Sequence, residues 1–274
     1  MISAAQIAAL FPRAAAEHQR ALAERGPALF DRLGITGQRL HFLLAQLGHE
    51  SQGLTRVTEG LNYRPERLMV VFPGFFPTLA SAVPYANNPE KLANFVYAGR
   101  YGNGPPASGD GYRFSGRGYI QITWRENYEK IGRLVGLDLV ANPGLAASPD
   151  HALEVACGFW TFKKLNAVTD TGDFTAVTRV INARLVGLDD RRAWLDKVIR
   201  VMALPARPAA VTPPAATVVA VQRALRARGF AGIGAADGGP GLRTMAAVAE
   251  FRRRQNLGPG GIDAALLAAL NIFI

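Results

Sequence analysis

Apolar residues recur at helical spacing through most of the first two hundred positions. Over 38–52, Leu40, Leu43, Leu44 and Leu47 form one stripe of a helix. "SPDHALEVACGFWTFKKL" places Leu153, Cys157 and Trp160 on one face, with Ser148 as the expected N-cap and Pro149 at the first helical position. "DFTAVTRVI" repeats the spacing with Phe174, Val177 and Ile181, and "DRRAWLDKVIRVM" with Leu195, Val198, Ile199 and Met202. The opening "MISAAQIAALFPRAAAEHQR" reads as a capped helix. Between about 53 and 120 the pattern is interrupted by Gly, Pro and Asn, and "NNPE" and "YGNGPPASGDGYRFSGRG" read as loops. An irregular stretch of that length inside a compact domain is usually functional.

A second pattern break lies at "ALPARPAAVTPPAATV", where Pro205, Pro208, Pro213 and Pro214 stand among alanines. Such text makes a stiff, extended connector. The expected organisation is therefore a body over 1–204, a Pro/Ala linker over 205–216 and a tail over 217–274. The body reads mainly α. In the tail, Val218, Val221 and Leu225 share a face and Gly229 ends their helix. After "ADGGPG", Val248 and Phe251 carry a second helix to Gly258, and Asp263 caps a third, "AALLAAL".

Composition narrows the classes. Hydrophobic residues make up 49 % of the chain, which argues against disorder. No apolar run approaches the ~18–20 residues that span a bilayer, so no stable membrane insertion is expected. The first residues lack a basic, then apolar, leader pattern. The expectation is synthesis in the cytoplasm without a signal peptide. Cys157 is the lone cysteine, which leaves no internal disulfide and reads as a buried thiol. Basic residues number 31 against 21 acidic, a net charge of +10. That suits a polyanion, whether nucleic acid, anionic lipid or anionic cell wall, and charge alone does not choose among them. The histidines at 18, 41, 49 and 151 form no metal-ligand spacing. Gly53 stands where a zinc-protease reading of "HES" needs a second histidine, so neither metal nor cofactor is expected.

The stretch "LAQLGHESQGLTRVTEGLNY" carries the first candidate chemistry. Glu50 continues the stripe of Leu43 and Leu47, where a carboxyl is partly desolvated, and desolvation favours the neutral acid. Gly53 then stops the helix. On a continuous helix Glu59 would point about 180° away from Glu50. A loop instead folds it back across a cleft, and two carboxyls on opposite walls are what glycoside hydrolysis uses. The alternative is that Glu50 pairs with an arginine and Glu59 is solvated.

Residues 97–128, "YAGRYGNGPPASGDGYRFSGRGYIQITWRENY", together with "GHES", "TEGLNY", "RVIN" and "GLDDR", occur in the order found in family 19 glycoside hydrolases, over roughly 40–195. The resemblance is to chitinases and their phage and bacterial wall-lytic relatives. It implies a lysozyme-like, mainly α (α+β) catalytic domain and an inverting hydrolysis. Glu50 would be the acid, Glu59 the base that activates water, and Thr123 the hydroxyl that holds that water. His49, Gln121, Asn127 and Asn182 would bind sugar amides and hydroxyls. Arg117 and Arg191 read first as structural arginines bracing carboxylates or carbonyls, and Asn182 has a bland alternative as a helix-end residue.

The tail, from "VQRALRARGF" through "DGGPGLRT" to "IDAALLAAL", resembles the small three-helix peptidoglycan-binding domain of wall hydrolases. Its run Arg252–Arg254 would suit carboxylate-bearing stem peptides or stand as a solvated face. Together these features imply an endolysin-like monomer whose partner is bacterial peptidoglycan, not nucleic acid, reached after release through a holin, a secretion machine or lysis. A chitinase, a wall-binding protein with a decayed active site and a nucleic-acid binder are the other readings.

Overall fold

The Gln38–Glu50 helix is the axis of the body. Phe42 to Gly48 are buried without interruption, so this helix is enclosed on all sides rather than along one stripe. Its main partner is the Leu188–Ala203 helix. Around the pair lie Ala4–Leu10, Ala16–Arg32, Arg125–Val135, Ala152–Phe162 and Phe174–Ile181. Leu43, Leu44, Leu47, Cys157, Trp160, Val177 and Val198 belong to one continuous core. Each such buried side chain contributes about 1.5–3 kcal/mol of transfer free energy. The first helix starts on a capping box, with the Ser3 and Gln6 side chains each meeting the other's backbone N–H.

The computed structural model describes residues 2–203, 213–258 and 261–272. The chain divides into two compact units, Met1–Arg207 and Pro208–Ile274. Of the connector expected over 205–216, residues 205–212 lie outside the described residues. The first tail helix, Ala215–Ala227, begins ahead of the expected 217. Fifteen α-helices occur among the described residues, and β structure is confined to isolated antiparallel bridges, Thr58 with Arg117 and Arg117 with Ile122. The fold is the mainly α, lysozyme-like class with a three-helix second unit.

The stretch between 53 and 120 differs from its loop-like text. It contains the helices Pro65–Val71, Leu79–Ala82, Pro89–Val96 and Asp110–Arg113. Most of them enclose a second core of Leu61, Leu68, Phe76, Leu92 and Val96, edged by Phe72, Phe75, Tyr85 and Phe95. These helices have four to eight residues and stand among Gly, Pro and Asn, which breaks up their apolar spacing. Their caps are nevertheless written in the text. Thr78 and Ser81 form a capping box, and Asn88 of "NNPE" accepts the Lys91 N–H with Pro89 at the first helical position.

Three smaller expectations also change. Ser148 does not cap with its side chain: its hydroxyl donates to the Leu145 carbonyl, and the helix starts at Ala152. Ile199 is 46 % exposed, on the outer side of its helix. The second tail helix stops at Arg254 rather than Gly258.

The small unit has its own core of Val221, Leu225, Ile233, Val248, Phe251, Leu266 and Leu270. Buried Gln222 ties down the Asp-Gly-Gly turn. Its amide donates to Asp237, to the Gly239 carbonyl and to Thr244, and its oxygen accepts the Gly238 N–H. The Arg252–Arg254 run is not a free basic face. Arg252 is buried against Asp263 and the Gly258 and Gly261 carbonyls. Arg253 and Arg254 both bind Glu250, and those hydrogen bonds pull its carboxyl down to about 2. Among the described residues no helix is long and apolar enough to cross a membrane, and no group of three or more His, Cys, Asp and Glu could hold a metal ion.

Candidate active site

The Gln38–Glu50 helix ends through consecutive left-handed residues, Gln52, Gly53 and Leu54, with φ of 51°, 71° and 63°. The Gly53 N–H returns to the Gly48 carbonyl at 2.7 Å, and the Ser51 hydroxyl donates to the Leu47 carbonyl while accepting from the Leu54 N–H. This reversal leaves Glu50 at the helix end, with 18 % of its side chain exposed.

Behind Glu50 stands Arg191, only 1 % exposed, whose Nη2 donates to Glu50 Oε1 at 2.6 Å. Nη1 of the same guanidinium donates to Gln46 Oε1, and Nε reaches the Val186 carbonyl at 3.4 Å. Gln46 in turn donates to Thr178 Oγ1 at 2.9 Å, and Thr178 donates to the Phe174 carbonyl. A chain of satisfied hydrogen bonds thus runs from the core to one carboxyl oxygen. Sequence pattern found the half-burial of Glu50. It did not find this ionic partner, so desolvation alone does not describe the group. The alternative pairing with an arginine is what the structure contains.

Glu59 is set in a short antiparallel turn system. Its N–H donates to the Gly116 carbonyl at 2.8 Å, and the Gly116 N–H donates to its Oε2 at 3.0 Å. The Tyr97 hydroxyl donates to Oε1 at 2.6 Å. Both oxygens of Glu59 are therefore held. Burial first, then the Glu59 charge and this hydrogen bond, push the Tyr97 hydroxyl well above the usual phenol range, so it stays a donor. A Cβ at Gly116 would lie 3.0 Å from Gln121 Oε1 and 3.3 Å from Glu59, so a side chain there would press on both.

Glu50 and Glu59 line one cleft of about 560 Å³. His49 and Gln121 line it too. His49 Nδ1 contacts Asp190 Oδ2 at 2.6 Å, and the Gln121 amide donates to the Gly118 carbonyl at 2.8 Å. The lining does not include Thr123, Asn127 or Asn182. The Thr123 hydroxyl donates to the Gln121 carbonyl at 3.1 Å. Asn127 donates to the Thr123 carbonyl at 2.8 Å. Asn182 caps the C-terminus of the Phe174–Ile181 helix, and its Oδ1 accepts the Arg184 N–H at 3.1 Å. Thr123 is flanked by two non-glycine residues with positive φ, Gln121 at 52° and Trp124 at 70°, the kind of backbone strain that clusters at functional sites.

Sequence reasoning missed several lining residues. Tyr63 and Asp190 lie inside "TEGLNY" and "GLDDR", so their motifs had marked them. Arg13, Gln52, Arg56 and Trp194 carried no such mark. Trp194 packs over Gly48, where a Cβ would lie 2.5 Å from its ring, and its indole lies under the Lys197 ammonium at 4.6 Å. Arg117 braces the Arg113 and Ser115 carbonyls, as its motif suggested.

A helical body with two glutamates on one polar cleft defines the class of a glycan-cleaving hydrolase. A family model described as "Chitinase class I" matches residues 78–183. A glycosyl hydrolase family 19 domain-containing protein of Haemophilus influenzae is 35 % identical over 192 residues, covering 70 % of this chain and 92 % of that protein. The chain belongs to glycosyl hydrolase family 19 and is a glycosidase. An endochitinase of Arabidopsis thaliana is 44 % identical over 73 residues, a quarter of each chain (26 % and 25 %). The solved class IV chitinase of Zea mays shares the fold, with a TM-score of 0.50, 16 % identity and coverage of 76 % of this chain and 95 % of that one.

Proposed function

We propose that this glycosidase cleaves the β-1,4 bonds of peptidoglycan glycan strands with inversion, as an endolysin-like monomer. The observation that carries the mechanism is that Glu50 and Glu59 share a cleft but have different partners. Arg191 occupies Oε1 of Glu50, which leaves Oε2 to carry the proton given to the leaving glycosidic oxygen. Glu59, held by Tyr97 and Gly116, accepts a proton from the water that attacks the anomeric carbon from the opposite face. Inversion needs a carboxyl gap of about 6.5–9.5 Å to hold that water. In this reading the Thr123 hydroxyl, set by the Gln121 carbonyl, positions the water, and Asn127 fixes the Thr123 backbone. His49 and Gln121 bind sugar amides and hydroxyls, and Asn182 acts further along the strand.

The wall as substrate is supported by the tail's resemblance to peptidoglycan-binding domains and by the net charge of +10. The proposed route is synthesis in the cytoplasm and action on the wall after release by a holin, a secretion machine or lysis. A chitinase on neutral N-acetylglucosamine polymers is the second reading, favoured by the endochitinases among its relatives. Digestion of purified sacculi and of chitin in ¹⁸O-labelled water separates them. Wall hydrolysis puts one labelled oxygen on the new reducing end of a muropeptide, first formed as the α anomer by NMR. Release of labelled chitin oligomers with intact sacculi would sink the wall reading, and a first-formed β anomer would sink inversion.

A further inference from the structure

Most of the charged groups that line the cleft are committed. Glu50 binds Arg191, Glu59 binds Tyr97 and the Gly116 N–H, and Asp190 binds His49. Arg13 and Arg56 line the same cleft and are exposed, and neither guanidinium makes an ion pair or hydrogen bond with any described residue. Arg13 lies two residues after Phe11, whose ring lies 5.8 Å from that of Trp194 in the cleft. It also sits near enough to Lys197 that its charge joins burial in lowering that ammonium's proton affinity. Arg56 is fixed by its N–H to the Ser51 carbonyl at 2.9 Å, and its own carbonyl accepts from Gln121 at 3.4 Å.

A neutral polymer of N-acetylated sugars has amides and hydroxyls, for which Gln52, Tyr63 and Gln121 are sufficient partners. It gives a guanidinium nothing to neutralise. A guanidinium offers a planar fork that matches a carboxylate. We infer that Arg13 and Arg56 are specificity residues that bind carboxylates borne on the glycan strand, and so select acid-substituted strands over neutral ones. The inference rests on the cleft being the glycan-cleaving site. It names the substrate class through groups that take no part in the proton transfers.

The test uses the full chain and soluble glycan strands that carry their peptide stems. The strands are compared with the same strands after carbodiimide coupling to ammonia has converted the carboxylates to amides. The wild type is expected to show a kcat/KM about tenfold higher on the acidic strands, a preference that shrinks as salt rises. In R13Q/R56Q the acidic-to-amidated ratio falls to about one. R13K/R56K keeps part of it, because charge is retained while the fork is lost. A wild-type ratio near one, or an unchanged ratio in folded R13Q/R56Q, overturns the inference while the wall reading stands. Failure to cut either strand, with chitin oligomers cut normally, overturns both.

Discussion

Tyr97 acts on the site through its hold on Glu59. Its hydroxyl holds Glu59 Oε1 at 2.6 Å and, because it stays protonated far into the alkaline range, it donates across the whole working range of pH. Tyr97→Phe keeps the ring and removes the donor. With Glu59 as base, kcat is expected to fall by about five- to tenfold with little change in KM, since the lost hydrogen bond is worth ~1–1.5 kcal/mol. Steady-state kinetics on soluble strands check this. A raised KM with kcat unchanged would make Tyr97 a sugar ligand instead.

At the scale of elements, the Gln38–Glu50 helix and the Leu188–Ala203 helix meet where Trp194 packs over Gly48. Alanine is a better helix former than glycine by about 1 kcal/mol. Here its Cβ would lie 2.5 Å from the indole, too close for any side chain. Gly48→Ala is therefore expected to destabilise the body by roughly 1–3 kcal/mol despite its propensity, as overpacking does. It should also displace Trp194 in the cleft. Thermal unfolding followed by circular dichroism checks the sign: a raised melting temperature would show that the indole yields freely.

The helices also show what was legible in the sequence. Long ones announce themselves through Leu43 and Leu47 or through Leu153, Cys157 and Trp160, because several turns repeat one spacing. The helices between Pro65 and Val96 stand among Gly, Pro and Asn, and only their caps, Thr78 and Asn88, betray them. Glu50, Glu59, His49 and Gln121 were readable from local motifs, and all line the cleft. Arg191 was readable as a brace but not as the partner of Glu50. Arg13 and Trp194 reach the cleft through packing between elements remote in the chain, which one-dimensional spacing does not encode. Ile199 shows the opposite error: the periodicity included it, but the residue is 46 % exposed.

For the molecule as a whole, two units with separate cores divide the work proposed here between chemistry and retention. Tethering raises the local concentration of substrate without altering the active site. The body alone, residues 1–204, should match the full chain on soluble glycan fragments and lose ten- to a hundredfold on intact walls. Turbidity loss of wall suspensions, set beside reducing-end release from fragments, makes the comparison. Equal wall activity without the tail would remove its proposed role.

Cys157 lies fully buried in the body's core, and burial first, with Glu154 nearby, pushes its thiol well above the usual range. No other cysteine exists in the chain. The folded body therefore has no thiolate to offer an alkylating reagent, and any modification must wait for the helices around Trp160 to part. The protein thus carries its own single-site clock. The rate at which Cys157 is alkylated under native conditions should report the opening of the catalytic unit alone, unaffected by what the tail is doing. It should rise in Gly48→Ala in step with the stability lost. Rapid labelling of the folded wild type would instead reveal an opening of the core much cheaper than global unfolding.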